Sequence, residues 1–236
     1  MRTLPLAFTV LLAAAVALFE TPTLWSQPPG FGGPGVFGGP GGPNSADIEL
    51  VDDFDQDKNG RLNTEERAKA RKAAQDKGSE RRGRPGRQRS RPPGTQGDRV
   101  RPADVASYTE NSLYDRSILR TLFLEFEGDD WEQELADFKS TDVEVPAKLT
   151  VDGAVYSDIG VSFRGASSYF MIPKGLKRSL NLSINFVHKD QRLYGYKTLN
   201  LLNCNGDESM MSSALYSSIA GHQISTPKVN FVKVVI

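Results

Sequence analysis

Residues 145–163 read VPAKLTVDGAVYSDIGVSF, and this stretch decides the fold class. Two strand-like runs, Val145 to Val151 and Ala154 to Phe163, flank the dipeptide Asp152-Gly153. Asp-Gly favours a tight hairpin turn, because both central residues of such a turn need positive φ. In the second run Ile159, Val161 and Phe163 share one face, with Gly160, Ser162 and Arg164 on the other. The neighbouring segments extend the hairpin. Upstream, Ile118 to Phe126 (ILRTLFLEF) is an apolar strand, and Asp129 and Asp130 offer N-caps for a short helix containing Trp131, Leu135 and Phe138. Downstream, Leu180, Leu182, Ile184 and Phe186 alternate with Asn181, Ser183 and Asn185. A turn near Gly195, a strand over Thr198 to Leu202, a helix capped by Asp207 and running to about Ala220, and a last strand over Val229 to Ile236 follow. The expected class is α+β, a strand-rich layer with few helices.

The 29 basic and 29 acidic residues cancel in number but not in place. Asp and Glu crowd Asp47 to Asp57, whereas Lys and Arg dominate Arg67 to Arg101. Residues 27–46 open with QPPGFGGPGVFGGPGGP, too rich in Gly and Pro to pack, and read as a tether. Residues 78–106 read as an Arg/Pro/Gly-rich disordered linker. Its tract RRGRPGRQRSR has no interleaved aromatic, which favours a solvated segment over a nucleic-acid partner. Salt-sensitive attraction to anionic surface polymers is the alternative. At the start, Arg2 precedes the apolar run Leu4 to Phe19, an h-region shorter than a spanning helix. Residues 1–26 are therefore expected to be a signal peptide, with an uncleaved anchor as the alternative. Either places the remainder outside the cytoplasm. Cys204, the single cysteine, permits no intrachain disulfide and is expected as a small buried hydrophobe.

Residues 47–77 carry the strongest motif. The segment Asp55 to Glu66 reads DQDKNGRLNTEE and fills every required position of the EF-hand pattern D-x-[DN]-x-[DN]-G-x5-E. Calcium is a hard cation that takes about 6–8 oxygen ligands. Asp55, Asp57 and Asn59 supply side-chain oxygens, Gly60 permits the sharp bend, and Arg61 offers its carbonyl. Asn63 ligates directly or through water, and Glu66 closes the sphere in bidentate fashion. Ile48, Leu50, Val51 and Phe54 give the entering helix an apolar face, and the exiting helix is expected from Thr64 to about Lys77. No second loop is seen to pair with this one. A lone hand buries little surface, so an affinity of ~10⁻⁴–10⁻³ M is expected. The histidines, His188 and His222, lack metal-ligand spacing.

From about Ser117 the chain resembles the CotH kinase family, the spore-coat-protein-H-like proteins. The resemblance rests on ordered blocks: LFLEFEGDDWEQEL, VPAKLTVDGAVYSDIGVSFRGASS, LKRSLNLSINF, DQRLYGYKTLNLLN with an Asp-led helix, and TPKVNFVKVVI. It implies that residues 107–236 are the N-terminal portion of an atypical, secreted, protein-kinase-like domain using ATP with Mg²⁺. Arg164, Gly165, Ser167 and Ser168 match the family's R-G-x-S-S motif, and Lys177 matches the start of its lysine-serine strand. These residues are the implied phosphate contacts. Structural roles compete with that reading: Arg164 holding a carboxylate, Ser167 and Ser168 capping a turn, Lys177 as a solvated charge. Ser212 stands where family members often have Arg, and the family's metal-holding acidic residues fall beyond Ile236. Three readings result. The first is an exported calcium-binding protein with a truncated CotH-like domain and weak or no catalysis. The second is a secreted ATP-dependent Ser/Thr protein kinase, and the third a cell-surface adaptor. The partners they imply are calcium, a nucleotide, and a secreted or cell-surface protein.

Overall fold

The computed structural model describes residues 48–81, 94, 95, 97 and 99–236. The expected signal peptide, the Gly/Pro tether and residues 82–93, 96 and 98 of the basic linker lie outside the described residues. No helix among the described residues is long and apolar enough to cross a membrane.

The hairpin forms where its turn residues require. Strands β2 (Val145–Val151) and β3 (Ala154–Phe163) pair antiparallel around Asp152 and Gly153, whose φ angles of 51° and 80° are both left-handed. Strand β1 (Arg120–Phe126) pairs with β2, and β4 (Leu180–Ser183) pairs with β3. Strand β5 (Thr198–Leu201) adds to β4, and β6 (Val232–Val235) runs parallel to β1. The result is a curled six-stranded mixed sheet in the order β5-β4-β3-β2-β1-β6.

Cross-strand register gathers one apolar face. Leu124 faces Leu149, Leu122 faces Val151, Val161 faces Leu182, and Leu182 faces Leu199, all buried. The opposite face pairs Glu125 with Lys148 as an ion pair at 2.6 Å and sets Asn181 beside Asn200. This two-sided division is the expected consequence of a period-2 side-chain pattern. A register shift lies between Ala147 and Leu149, where β3 carries an extra residue and Asp158 takes φ 52°. That bulge puts Tyr156 and Ile159 opposite alternate residues of β2, resetting the alternation inside β3.

Helices are few. Among the described residues α1 (Val51–Phe54) and α2 (Thr64–Arg81) flank the acidic loop, and α3 (Trp131–Asp137) follows β1. The single turn α4 (Ser167–Phe170) follows β3, and α5 (Ser212–Ala220) precedes β6. Three expectations are corrected here. The segment entering the acidic loop is one helical turn: Ile48 instead bridges Thr141, and the Asp142 carboxylate accepts from the amides of Leu50 (2.7 Å) and Val51. Asp130 occupies the N-cap of α3 without a side-chain cap, because its carboxylate pairs with Arg71 at 2.7 Å. Cys204 is half-buried, in a left-handed turn with φ 52°, rather than a core hydrophobe.

Nor do residues 48–77 stand apart from the sheet. Leu50, Leu62, Ala70 and Ala74 are buried in the same cluster as Leu135, Phe138 and the β-strand leucines. Helix α2 is strongly polar, yet Ala70 and Ala74 lie one turn apart and allow close approach. Charges complete the contact. Arg67 donates to Glu134 and Glu127, each at 3.0 Å, and Arg71 pairs with Asp137 at 2.6 Å.

Candidate functional site

The acidic loop is folded by its own side chains. Gly60, at φ 81°, donates its amide to Asp55 Oδ2 at 2.7 Å, and the amide of Asn59 bonds Asp55 Oδ1 and Asp57 Oδ1 at 3.2 and 3.1 Å. The Arg61 amide bonds Asn59 Oδ1 at 3.0 Å. Glu66, only 2 % exposed, reaches back across the loop. Its Oε1 accepts from the Gln56 amide and its Oε2 from the Asn63 amide, both at 2.8 Å. Asn63 caps α2, its Oδ1 accepting from the amides of Glu65 and Glu66 at 3.0 Å.

These turns bring Asp55, Asp57 and Glu66 together, with one carboxylate oxygen of each within 4.8 Å of the others. Desolvation opposes the charge on Asp55, but the Gly60 amide and the other loop donors outweigh it and hold its pKa below the ordinary value. Three carboxylates this close repel one another, and a cation removes that repulsion. The donors are all oxygen, which suits a hard ion rather than a thiophilic metal. The triad can therefore hold a metal ion. Asn59, Arg61 and Asn63 belong to the same loop, and Asn63 Oδ1 is already engaged by the helix it caps.

A second feature is a cavity of about 920 Å³ at the curled sheet. Its wall includes Leu113, Trp131, Phe163, Leu180, Leu201 and Val232, and its cations are Arg164, Lys177, Arg178 and Lys228. The size and the apolar lining with few polar groups suit a small-molecule site. Of the five residues matched to the R-G-x-S-S motif and the lysine-serine strand, Arg164 and Lys177 line this cavity. Both are exposed, and neither side chain has a hydrogen-bond or ion-pair partner among the described residues. Gly165 takes φ 82° at the turn after β3 and does not line the cavity, and Ser167 and Ser168 open the single turn α4.

Arg178 carries no local signal in the sequence. Its guanidinium lies 4.5 Å from the Tyr169 ring centroid and 5.3 Å from that of Phe163. It donates to the Ile172 carbonyl at 2.9 Å and lies 3.8 Å from Glu132. It thus fixes the segment carrying Lys177 against α3.

Arg120 was also missed, being hidden inside an apolar run. It is 1 % exposed and donates to Asp152 at 2.7 Å and to the carbonyls of Ser112, Tyr108 and Asn111. Tyr194 donates to the same Asp152 at 2.6 Å. Burial of Asp152 acts to raise its pKa, but the bonds from Tyr194 and Arg120 prevail and lower it. Burial, together with Asp152, pushes Tyr194 up to about 12. This knot closes the hairpin turn onto the preceding loop and is structural. His188 is exposed beside Asp158 at 3.2 Å, and His222 is exposed.

No family model matches the chain, and no curated protein matches it.

Proposed function

We propose that residues 55–66 bind calcium as a single EF-hand loop in an exported protein, and that residues 107–236 are a CotH-like, kinase-related region with weak or no catalysis. The observation that carries this reading is the convergence of Asp55, Asp57 and Glu66 within 4.8 Å in a loop bent at Gly60. Asp55, Asp57, Asn59, Glu66 and the Arg61 carbonyl would hold the ion, with Asn63 acting through water. Calcium supplies charge neutralisation and cross-links the start of the loop to α2. The chain's own contribution is a pre-bent loop, which lowers the ordering cost of binding.

Calorimetric titration of the full chain tests the reading. A dissociation constant of ~10⁻⁴–10⁻³ M is expected, weakened about tenfold or more in Glu66→Gln. Heat unchanged by that substitution would refute it.

A second reading has its own support: Arg164 and Lys177 both line one largely apolar cavity. In it the cavity takes a nucleotide with Mg²⁺, the apolar wall receives the base and the two cations receive phosphate. Saturable MgATP binding abolished by Lys177→Ala is the expected result for this reading. MgATP binding that is absent, or indifferent to Lys177→Ala, leaves the cavity to a protein contact or to no ligand.

A further inference from the structure

The acidic loop and the cavity lie on opposite sides of one element, α3, which α2 contacts and which lines the cavity. Glu66 and Arg67 are consecutive, buried to 2 % and 4 % exposure, and directed at different partners. Glu66 closes the loop through the amides of Gln56 and Asn63. Arg67 grips α3 and its approach through Glu134 and Glu127. One turn on, Arg71 pairs with Asp130 and Asp137, and Gln75 donates to Asp137 at 2.9 Å. Both ends of α3 are thus tied to α2.

The other side of α3 forms part of the cavity. Trp131 and Glu132 line it. Glu132 accepts from the Gly175 amide at 2.8 Å and lies 3.8 Å from Arg178, while Gln133 accepts from Lys174 at 3.0 Å. Gly175, Lys177 and Arg178 line the cavity too. Trp131 stacks on Phe126, next to the Glu127 that Arg67 holds.

We infer that cation occupancy of the 55–66 loop and ligand occupancy of the cavity are energetically coupled, with α3 as the shared element. The inference rests on the calcium reading above. A cation that ligates Glu66 fixes the position of the first turn of α2. A helix is stiff, so Arg67 and Arg71 are fixed with it, and through them α3 and the 174–178 segment. A ligand that favours one placement of that wall must then favour the same placement of the loop. Coupling of this kind is reciprocal: each ligand changes the affinity of the other by the same factor. Arg71 is a positioning residue here, since it touches neither ligand.

The experiment uses the full chain, calcium as the metal, and 8-anilinonaphthalene sulfonate as the cavity probe, an apolar anion that does not chelate calcium. Calorimetry reads loop occupancy. Amide hydrogen exchange reads residues 131–137 and 174–178 with and without calcium. Calcium is expected to slow exchange in both segments and to change the dye's dissociation constant about fivefold or more. Arg71→Gln is expected to keep the calcium heat while reducing both effects, since Arg67 still holds Glu134 and Glu127. Calcium heat with unchanged exchange and unchanged dye affinity would overturn the coupling and leave the calcium reading intact. No calcium heat at all would overturn both.

Discussion

Glu66 shows how one side chain acquires its role from position. It is nearly inaccessible, yet both oxygens accept backbone amides from opposite ends of the loop. Replacing it with Gln keeps the shape but substitutes an amide nitrogen, a donor, for one acceptor. We expect Glu66→Gln to lower calcium affinity by about tenfold or more, about 1.4 kcal/mol, measured by calorimetry. Arg120 and Asp152 make a buried pair with side-chain exposures of 1 % and 4 %. Removing one member strands the other, so Arg120→Met should cost about 3–5 kcal/mol in urea unfolding. Tyr194→Phe removes only one bond to that carboxylate and should cost about 1.5–3 kcal/mol. The pH behaviour follows from the same knot. Tyr194 is raised to about 12 in the folded state, so its contribution is complete below about pH 10 and lost as pH rises toward 12. Asp152 is lowered, so its contribution is complete above about pH 4 and lost as pH falls through its folded value. Thermal melts from pH 9 to 12 should fall more steeply for the parent chain than for Tyr194→Phe.

At the scale of elements, β3 depends on close approach at Gly160. A Cβ there would meet the Glu144 carboxylate and lie 2.9 Å from Phe186. Glu144 is itself engaged, accepting from Ser183 at 2.7 Å and Asn181 at 3.3 Å. Gly160→Ala should therefore destabilise by about 1–3 kcal/mol through overpacking, read as a lower urea midpoint with an unchanged slope. Helix α5 shows a simpler rule. Asp207 accepts from the amide of Ser212 at 2.9 Å, and the bonds from Ser209 and Ser212 hold its pKa low. The capping expected of Asp207 is thus met from outside the helix, with Met211 in the N-cap position.

For the whole molecule, the contact between α2 and α3 decides how the parts behave together. A disordered basic linker over residues 78–106, as the sequence reads, would suit two parts that fold apart. The fold instead buries Leu50 and Leu62 in the cluster that includes the sheet's leucines. Each such side chain is worth about 1.5–3 kcal/mol when fully buried. A fragment starting at Ser107 should therefore be less stable than the full chain by about 3–6 kcal/mol, and should associate through the surface it uncovers. Differential scanning calorimetry and light scattering of the two species check this. Equal melting temperatures would show that the contact contributes nothing.

The chain's local chemistry was legible wherever a short-range rule governs it. Asp152-Gly153 dictates its turn because both residues must take positive φ. The alternating residues of β4 predict their own burial. The spacing of Asp55, Asp57, Gly60 and Glu66 places three carboxylates around one point. What only the tertiary structure decided are the contacts between residues distant in sequence. Nothing local marks Arg120 as the centre of a buried knot, since its partners lie in loops 8 to 32 positions away. Nothing local shows that Arg67 and Arg71 belong to an interface rather than a solvated helix face, because their acids lie more than fifty residues downstream. Arg164 and Lys177 reach one cavity, whereas Gly165 does not line it. Adjacency in sequence fixes turns and periodicity, but chain path and packing decide which charges meet.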